Sequence, residues 1–300
     1  MRGSLFMMIA MAGYTGNDAL TKLAGTHINA AQIMLVRGLF ATAIVGLLAW
    51  QQGALRPWRT ILVPALGVRV LAELTATFAF LIGLLQLPLA NATAIMQALP
   101  LAITMGAALF LHEPVGWRRW SAIGAGFIGV LIIVRPGFEG FNRFALFNLF
   151  AVLACTVRDL ATSRVPRSIP SLFVALSTSV AVTIGGLLAV VPFGGWTPME
   201  DATVGMMAGA SVLVVVGYQF AAMAVRTGQM SAVAPFRYTA LLWSILLSIV
   251  IFNQYPDLPM IVGATIIVGS GIYAFWRERR VNKTKPAAST TGPNMAPDGI

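Results

Sequence analysis

The chain has 300 residues, of which 58% are hydrophobic and only 10% are charged. A soluble domain carries about 25% charged residues, so this composition excludes an ordinary soluble protein and places most of the chain in lipid. The net charge of +10 comes without a basic cluster interleaved with aromatic residues, which argues against a nucleic-acid partner. One cysteine, Cys155, and two histidines argue against a disulfide framework, a metal site or a bound cofactor.

Ten segments are long and apolar enough to cross a bilayer, whose hydrocarbon core needs about 20 residues. They lie at 3–23, 31–51, 61–85, 89–111, 120–134, 144–162, 172–191, 204–225, 230–252 and 258–276. The sequence therefore predicts an all-α integral membrane protein with ten transmembrane helices, numbered here as spans 1 to 10. The tail at 281–300 is polar and without periodicity, which predicts a disordered cytoplasmic segment.

Basic residues are distributed unequally between the two ends of these spans. Thirteen lysines and arginines fall on one side and three on the other. Cytoplasmic loops are the ones that carry such an excess, so we predict a multi-pass protein with both termini in the cytoplasm. The lipid bilayer is then its main surrounding partner, and the sequence leaves a monomer and a homodimer open.

The two halves of the chain correspond at an offset of 141 residues. Asp18 in span 1 then matches Asp159 in span 6, and Glu113 matches Gln254. Each half holds five spans, an odd number, so the second half enters the membrane from the opposite face. The sequence thus predicts two inverted five-helix repeats, 3–135 and 144–276, with a substrate site near the midplane where they meet.

Polar groups within spans mark the candidate binding residues, because a charge at membrane depth is costly unless it faces a cavity or a partner. We assign substrate binding to Tyr14, Asp18, Glu73, Gln97, Tyr218, Gln219, Arg237 and Tyr238. Arg237 has no carboxylate within one helical turn, so its partner lies on another span or is a ligand.

Structural explanations remain open for the acidic candidates. Asp18 has Lys22 one turn later and Asp159 follows Arg158, so each of these carboxylates has a basic neighbour in sequence. Arg69 precedes Glu73 by four residues, which puts both on one helix face. Neutral polar side chains in spans also serve as hydrogen-bond partners between helices.

No catalytic set accompanies these residues, so we expect a protein that is not an enzyme. A G-x-G-x-x-G pattern at 124–129 lies inside span 5, whereas the dinucleotide fingerprint needs a βαβ unit. Span 10 is equally rich in small residues, and small residues let transmembrane helices approach closely. Both spans are therefore predicted to be packing elements.

The segments APFRYT at 234–239 and FNQYPD at 252–257, set in ten spans, resemble the EamA branch of the drug/metabolite transporter superfamily. Members of that family often read Phe-Gly-Glu-x-Pro-Asp at the second place, where this chain has Asn253 and Gln254. The first half keeps the acid as Glu113, which we interpret as a residue of the helix end.

The resemblance implies a secondary transporter of the bacterial inner membrane, with a cavity built from spans 1, 3, 4, 6, 8 and 9. The opening residues, the stretch 17–22 and Arg37 look most like permeases for riboflavin or S-adenosylmethionine. Riboflavin uptake is the first expectation, and a permease or exporter of S-adenosylmethionine, an amino acid or a related metabolite is the alternative. Coupling to protons through membrane carboxyl groups and facilitated diffusion both stay open.

Overall fold

The computed structural model describes residues 2–112, 115–136, 142–166, 168–227 and 233–281, and all regular structure in these ranges is helical. The helices are α1 (Arg2–Ala24), α2 (Ala30–Gln51), α3 (Pro64–Gln86), α4 (Leu89–Met96), α5 (Leu99–Phe110), α6 (Trp117–Val134), α7 (Phe144–Thr162), α8 (Ser171–Val190), α9 (Asp201–Thr227), α10 (Thr239–Phe252) and α11 (Leu258–Val281). Short 3-10 helices at Trp58–Leu62 and Ala234–Tyr238 precede α3 and α10. Glu113 and the tail beyond Val281 lie outside the described residues.

Nine segments within these ranges are long and apolar enough to cross a membrane. They correspond to predicted spans 2 to 10, which confirms an all-α membrane protein. Helix α1 has a similar length, 23 residues, but its second half carries Asn17, Asp18 and Lys22, and these side chains lower its hydropathy. Its crossing of the bilayer as a tenth span therefore stays a prediction, as does the arrangement of the chain in two repeats.

Span 4 is interrupted, and the described part of span 9 begins with a 3-10 helix. Span 4 breaks between α4 and α5, because Pro100 lacks the N–H and its ring clashes with the carbonyl one turn earlier. The 3-10 helix of span 9 contains Pro235. The break in span 4 and the 3-10 helix before α10 are in contact, because Gln97 Nε2 donates to the carbonyl oxygen of Arg237 at 3.3 Å.

Several helices of the first half each pack against one helix of the second half. The closest pairs are α1 with α9, α2 with α8, α3 with α7, and α6 with α11. A Cβ on Gly129 of α6 would lie 2.7 Å from the carbonyl oxygen of Gly263, and one on Gly263 of α11 would lie 2.5 Å from that of Gly129. These two backbones therefore touch directly, as the small residues of both spans predicted.

Two helices end on a non-glycine residue in the left-handed conformation. Arg135 ends α6 with φ 52° and Asn253 ends α10 with φ 52°. Glycine and asparagine are the residues that most readily adopt this conformation after a helix. Asn253 therefore adopts the left-handed conformation that the glycine of the family pattern would adopt easily at this position.

Candidate functional site

An ion-pair network centred on Arg158 joins α7 to α3. Its side chain is 1% exposed, and its Nε donates to Asp159 Oδ1 at 2.6 Å while Nη1 donates to Glu73 Oε2 at 3.0 Å. The second Asp159 oxygen, Oδ2, is buried with no hydrogen-bond partner in the structure. Removing a charged partner from such a network leaves an uncompensated buried charge, which is strongly destabilising.

Arg69 lies one turn before Glu73 but reaches across to another helix. Its Nη1 donates to Thr178 Oγ1 of α8 at 2.9 Å, so this guanidinium ties α3 to α8. The ion pair of Glu73 is made with Arg158 of α7, and Arg69 interacts with Glu73 at longer range. The sequence alternative of a pair within α3 is thus replaced by a pair between helices.

A second polar group lies on α1 and α2. Asn17 Nδ2 donates to Asp18 Oδ1 at 2.9 Å, and Arg37 Nη1 donates to Asn17 Oδ1 at 3.5 Å. Arg37 interacts electrostatically with Asp18 as well. Lys22, which the sequence offered as a partner for Asp18, instead donates to backbone carbonyls at the end of α3. Asp18 therefore belongs with Asn17 and Arg37.

Two tyrosines connect these polar groups. The rings of Tyr14 and Tyr218 meet edge to face with centroids 5.7 Å apart. Tyr218 is 38% exposed, yet it interacts electrostatically with Glu73, Arg158, Arg69 and Arg37.

Span 4 and the 3-10 helix before α10 contribute the remaining candidate residues. Arg237 is buried and interacts electrostatically with Asp159 and Tyr14. A small cavity lies beside it, with about 20 Å³ of free space, lined by Met96, Gln97, Leu99, Pro100, Arg237, Tyr238 and Phe275. That space holds about one water molecule.

The structure brings five of the eight predicted residues together. Tyr14, Asp18, Glu73, Tyr218 and Arg237 interact with one another directly or through neighbouring charges, and Gln97 reaches the backbone of Arg237.

Of the two remaining predicted residues, Tyr238 lines the small cavity beside Arg237, and Gln219 lies apart. Tyr238 packs against α11, where a Cβ on Gly271 would overlap its hydroxyl group. Gln219 is exposed, and the helical spacing places it opposite Gly217, which packs on α1.

The residues predicted to bind substrate do not include Arg37 or Arg158, and the structure puts both next to predicted residues, Arg37 near Asp18 and Arg158 against Glu73. The sequence could have indicated them, because each is an arginine within a predicted span and arginines are rare within membrane spans. The site holds four guanidinium groups, from Arg37, Arg69, Arg158 and Arg237, against the carboxylates of Asp18, Glu73 and Asp159. Within the described ranges, the structure has no cluster of three His, Cys, Asp or Glu residues that could hold a metal ion.

Comparisons with known proteins agree with this reading of the chain. The S-adenosylmethionine uptake transporter of Rickettsia conorii is 24% identical over 284 residues, which cover 93% of this chain and 94% of that protein. The riboflavin transporter of Rhizobium johnstonii is 29% identical over 239 residues, covering 77% and 74%. A crystal structure with 18% identity covers 94% of this chain and 99% of its own, with a TM-score of 0.62, and so shares the fold.

The family comparison concerns the first half of the chain. Residues 1–135 match the EamA-like transporter family, and these residues contain α1 to α6 with Asp18, Arg37 and Glu73. The resemblance to the EamA branch of the drug/metabolite transporters is thereby confirmed for residues 1–135.

Proposed function

We propose that the protein is a secondary transporter that takes up a zwitterionic metabolite, with S-adenosylmethionine as the best candidate, across the bacterial inner membrane. The observation that carries the proposal is the gathering of buried and half-buried charges from α1, α2, α3, α7 and the 3-10 helix before α10. Charges at this depth are costly and mark substrate pathways in membrane proteins. A transporter fits these features, whereas an enzyme would need a catalytic set.

The chemistry of the site suits a ligand that carries both signs of charge. S-adenosylmethionine has a carboxylate, an ammonium group and a sulfonium centre. Arg237 and Arg37 would bind the carboxylate, because guanidinium pairs with carboxylate through charge-assisted hydrogen bonds. Asp18 would face the positive groups, and the Tyr14–Tyr218 pair offers aromatic surface to the adenine.

Riboflavin is the second candidate, and two observations favour it. The riboflavin transporter of Rhizobium johnstonii is 29% identical, and the edge-to-face pair of Tyr14 and Tyr218 offers a stacking surface. Recognition of a neutral flat ring would also draw on Tyr238 and Gln219, as expected from the sequence. Gln219 is exposed, whereas the charged residues interact with one another, so the geometry favours the zwitterion.

Transport requires the described conformation to open. Pockets for small molecules have volumes of about 300 to 1,000 Å³, whereas the cavity beside Arg237 has about 20 Å³ of free space. We therefore assign the structure to an occluded state, and alternating access would widen the site toward one face at a time.

Three features support two inverted repeats, 3–135 and 144–276, as the basis of this motion. Thr42 and Thr183, 141 residues apart, form a side-chain hydrogen bond at 3.1 Å. His112 and Asn253, also 141 residues apart, both have positive φ. Exchanging the halves maps the pair α1–α9 onto α7–α3, and both pairs are in contact. The charge asymmetry of the loops supports a cytoplasmic position for both termini.

Growth rescue of a bacterium that can neither make nor import the metabolite tests the substrate. A strain dependent on external S-adenosylmethionine should grow when it expresses the protein, and a riboflavin-dependent strain should not. Asp18→Asn protein, present in the membrane at the same level, should lower the rescue about tenfold. Rescue by riboflavin alone would overturn the substrate and leave the transporter in place.

A further inference from the structure

Lys22 of α1 is a buried cation with an unusual set of partners. Its side chain is 8% exposed, and its Nζ donates to the carbonyl oxygens of Leu87 at 2.6 Å, Leu84 at 2.8 Å and Leu85 at 3.4 Å. The ring of Phe252 lies 5.7 Å from the same atom. Among the described residues no carboxylate contacts Lys22 Nζ, so backbone dipoles and an aromatic face balance the charge.

The position of these carbonyls explains why an ammonium group is stable there. Leu84 and Leu85 lie in the last turn of α3, whose carbonyls have no partner inside the helix. The C-terminal end of a helix carries a partial negative charge that attracts cations. An ammonium group has three N–H donors and no acceptor. Three carbonyl oxygens around it therefore accept from all three donors, and each carbonyl gains a hydrogen bond.

This group of contacts joins both halves of the chain at one point. Lys22 comes from α1, the carbonyls come from the last turn of α3 and from Leu87 just after it, and Phe252 is the last residue of α10. The matching position one repeat later is Ser163, which has no charge. The contacts of Lys22 therefore have no charged counterpart in the second half of the chain.

We propose that the carbonyls of Leu84, Leu85 and Leu87 with the Phe252 ring form a monovalent-cation site that the ammonium of Lys22 fills from within the chain. Carbonyl oxygens at half-helix C-termini are the ligands that free alkali cations use inside membrane transporters. Here the covalently attached lysine ammonium group takes the place of a free ion at these carbonyls. The inference concerns cation binding and stability, and it holds for any substrate.

Emptying the site is the direct test. Lys22→Ala should leave the carbonyls in place and open space for a small cation. The melting temperature of the detergent-purified variant in choline chloride should fall by about 5 °C relative to wild type, since buried carbonyls lose a charged partner. Methylammonium or sodium chloride at equal ionic strength should restore at least about half of that loss, with saturation. Wild type should show no such restoration.

Two neutral variants serve as controls that fill the site. Lys22→Met has similar length without charge or donors, so it should lose stability and gain nothing from added cations. Lys22→Gln keeps two donors and should lie between wild type and Lys22→Met, which also decides the question if Lys22→Ala does not accumulate. Equal melting temperatures for Lys22→Gln, Lys22→Met and wild type, or a Lys22→Ala protein that no cation restores, would overturn the proposal.

Discussion

Replacing Arg158 with leucine is the sharpest perturbation of the buried charge network. Its guanidinium is 1% exposed and contacts Asp159 at 2.6 Å and Glu73 at 3.0 Å. Removing it leaves two carboxylates without this charged partner in a place that water reaches poorly. Breaking a buried pair in this way costs about 3 to 5 kcal/mol.

The expected result is a large loss of thermal stability. For a chain of this size about 1 kcal/mol corresponds to about 2 to 4 °C, so the melting temperature of Arg158→Leu should fall by about 10 °C. Purified protein in detergent, unfolded by heating with intrinsic tryptophan fluorescence as the signal, provides the measurement. Arg56→Gln is the matched control, because Arg56 is exposed and donates to carbonyls of its own loop; it should shift the melting temperature by less than about 2 °C.

A compensated variant separates stability from function. Arg158→Leu combined with Glu73→Gln and Asp159→Asn removes the unpaired charges and should recover most of the melting temperature. Transport should stay well below wild type, because the candidate site has lost one of its four guanidinium groups and two of its three carboxylates. A wild-type melting temperature for Arg158→Leu alone would refute the buried network, and full transport by the compensated variant would refute its role in substrate binding.

Three further predictions follow from other parts of the molecule. Gly129→Ala should destabilise the protein by about 1 to 3 kcal/mol, because its Cβ would lie 2.7 Å from the Gly263 carbonyl, whereas Gly124→Ala in the same helix meets nothing within 4 Å and should be neutral in a melting experiment. Reporter fusions at Arg118 should read cytoplasmic and those at Glu200 external, and the reverse pattern would invalidate the predicted orientation. Uptake driven by an imposed pH gradient in wild type but not in Glu73→Gln would assign proton coupling to that carboxyl group, and uptake that ignores the gradient in both would exclude it.

Helix positions followed directly from hydropathy, because the length of a span is dictated by the bilayer. The predicted bounds 144–162 match α7 (Phe144–Thr162), and other span ends differ by only a few residues. The break in span 4 and the 3-10 helix of span 9 were not predicted, although Pro100 and Pro235 were visible in the sequence. A proline is tolerated in a membrane helix when neighbours satisfy the freed backbone groups, so hydropathy alone does not reveal whether the helix breaks.

The sequence showed which charged residues lie within spans, but it did not show which of them contact one another. Asp18, Glu73 and Arg237 were identified because a charged group within a span is costly unless it faces a cavity or a partner. Their partners depended on helix packing, so Glu73 pairs with Arg158 of another helix rather than with Arg69. Lys22 shows the same limit, since a bond to backbone carbonyls has no signature in side-chain spacing.

The central claim is that the charged residues around Tyr218 bind a zwitterionic metabolite during transport, and competition in liposomes tests it most directly. Purified protein in sealed vesicles should accumulate labelled S-adenosylmethionine in exchange for unlabelled substrate. An analogue without the carboxylate should compete about tenfold less well, the equivalent of about 1.4 kcal/mol, and riboflavin should not compete. Exchange of riboflavin without exchange of S-adenosylmethionine would contradict the claim.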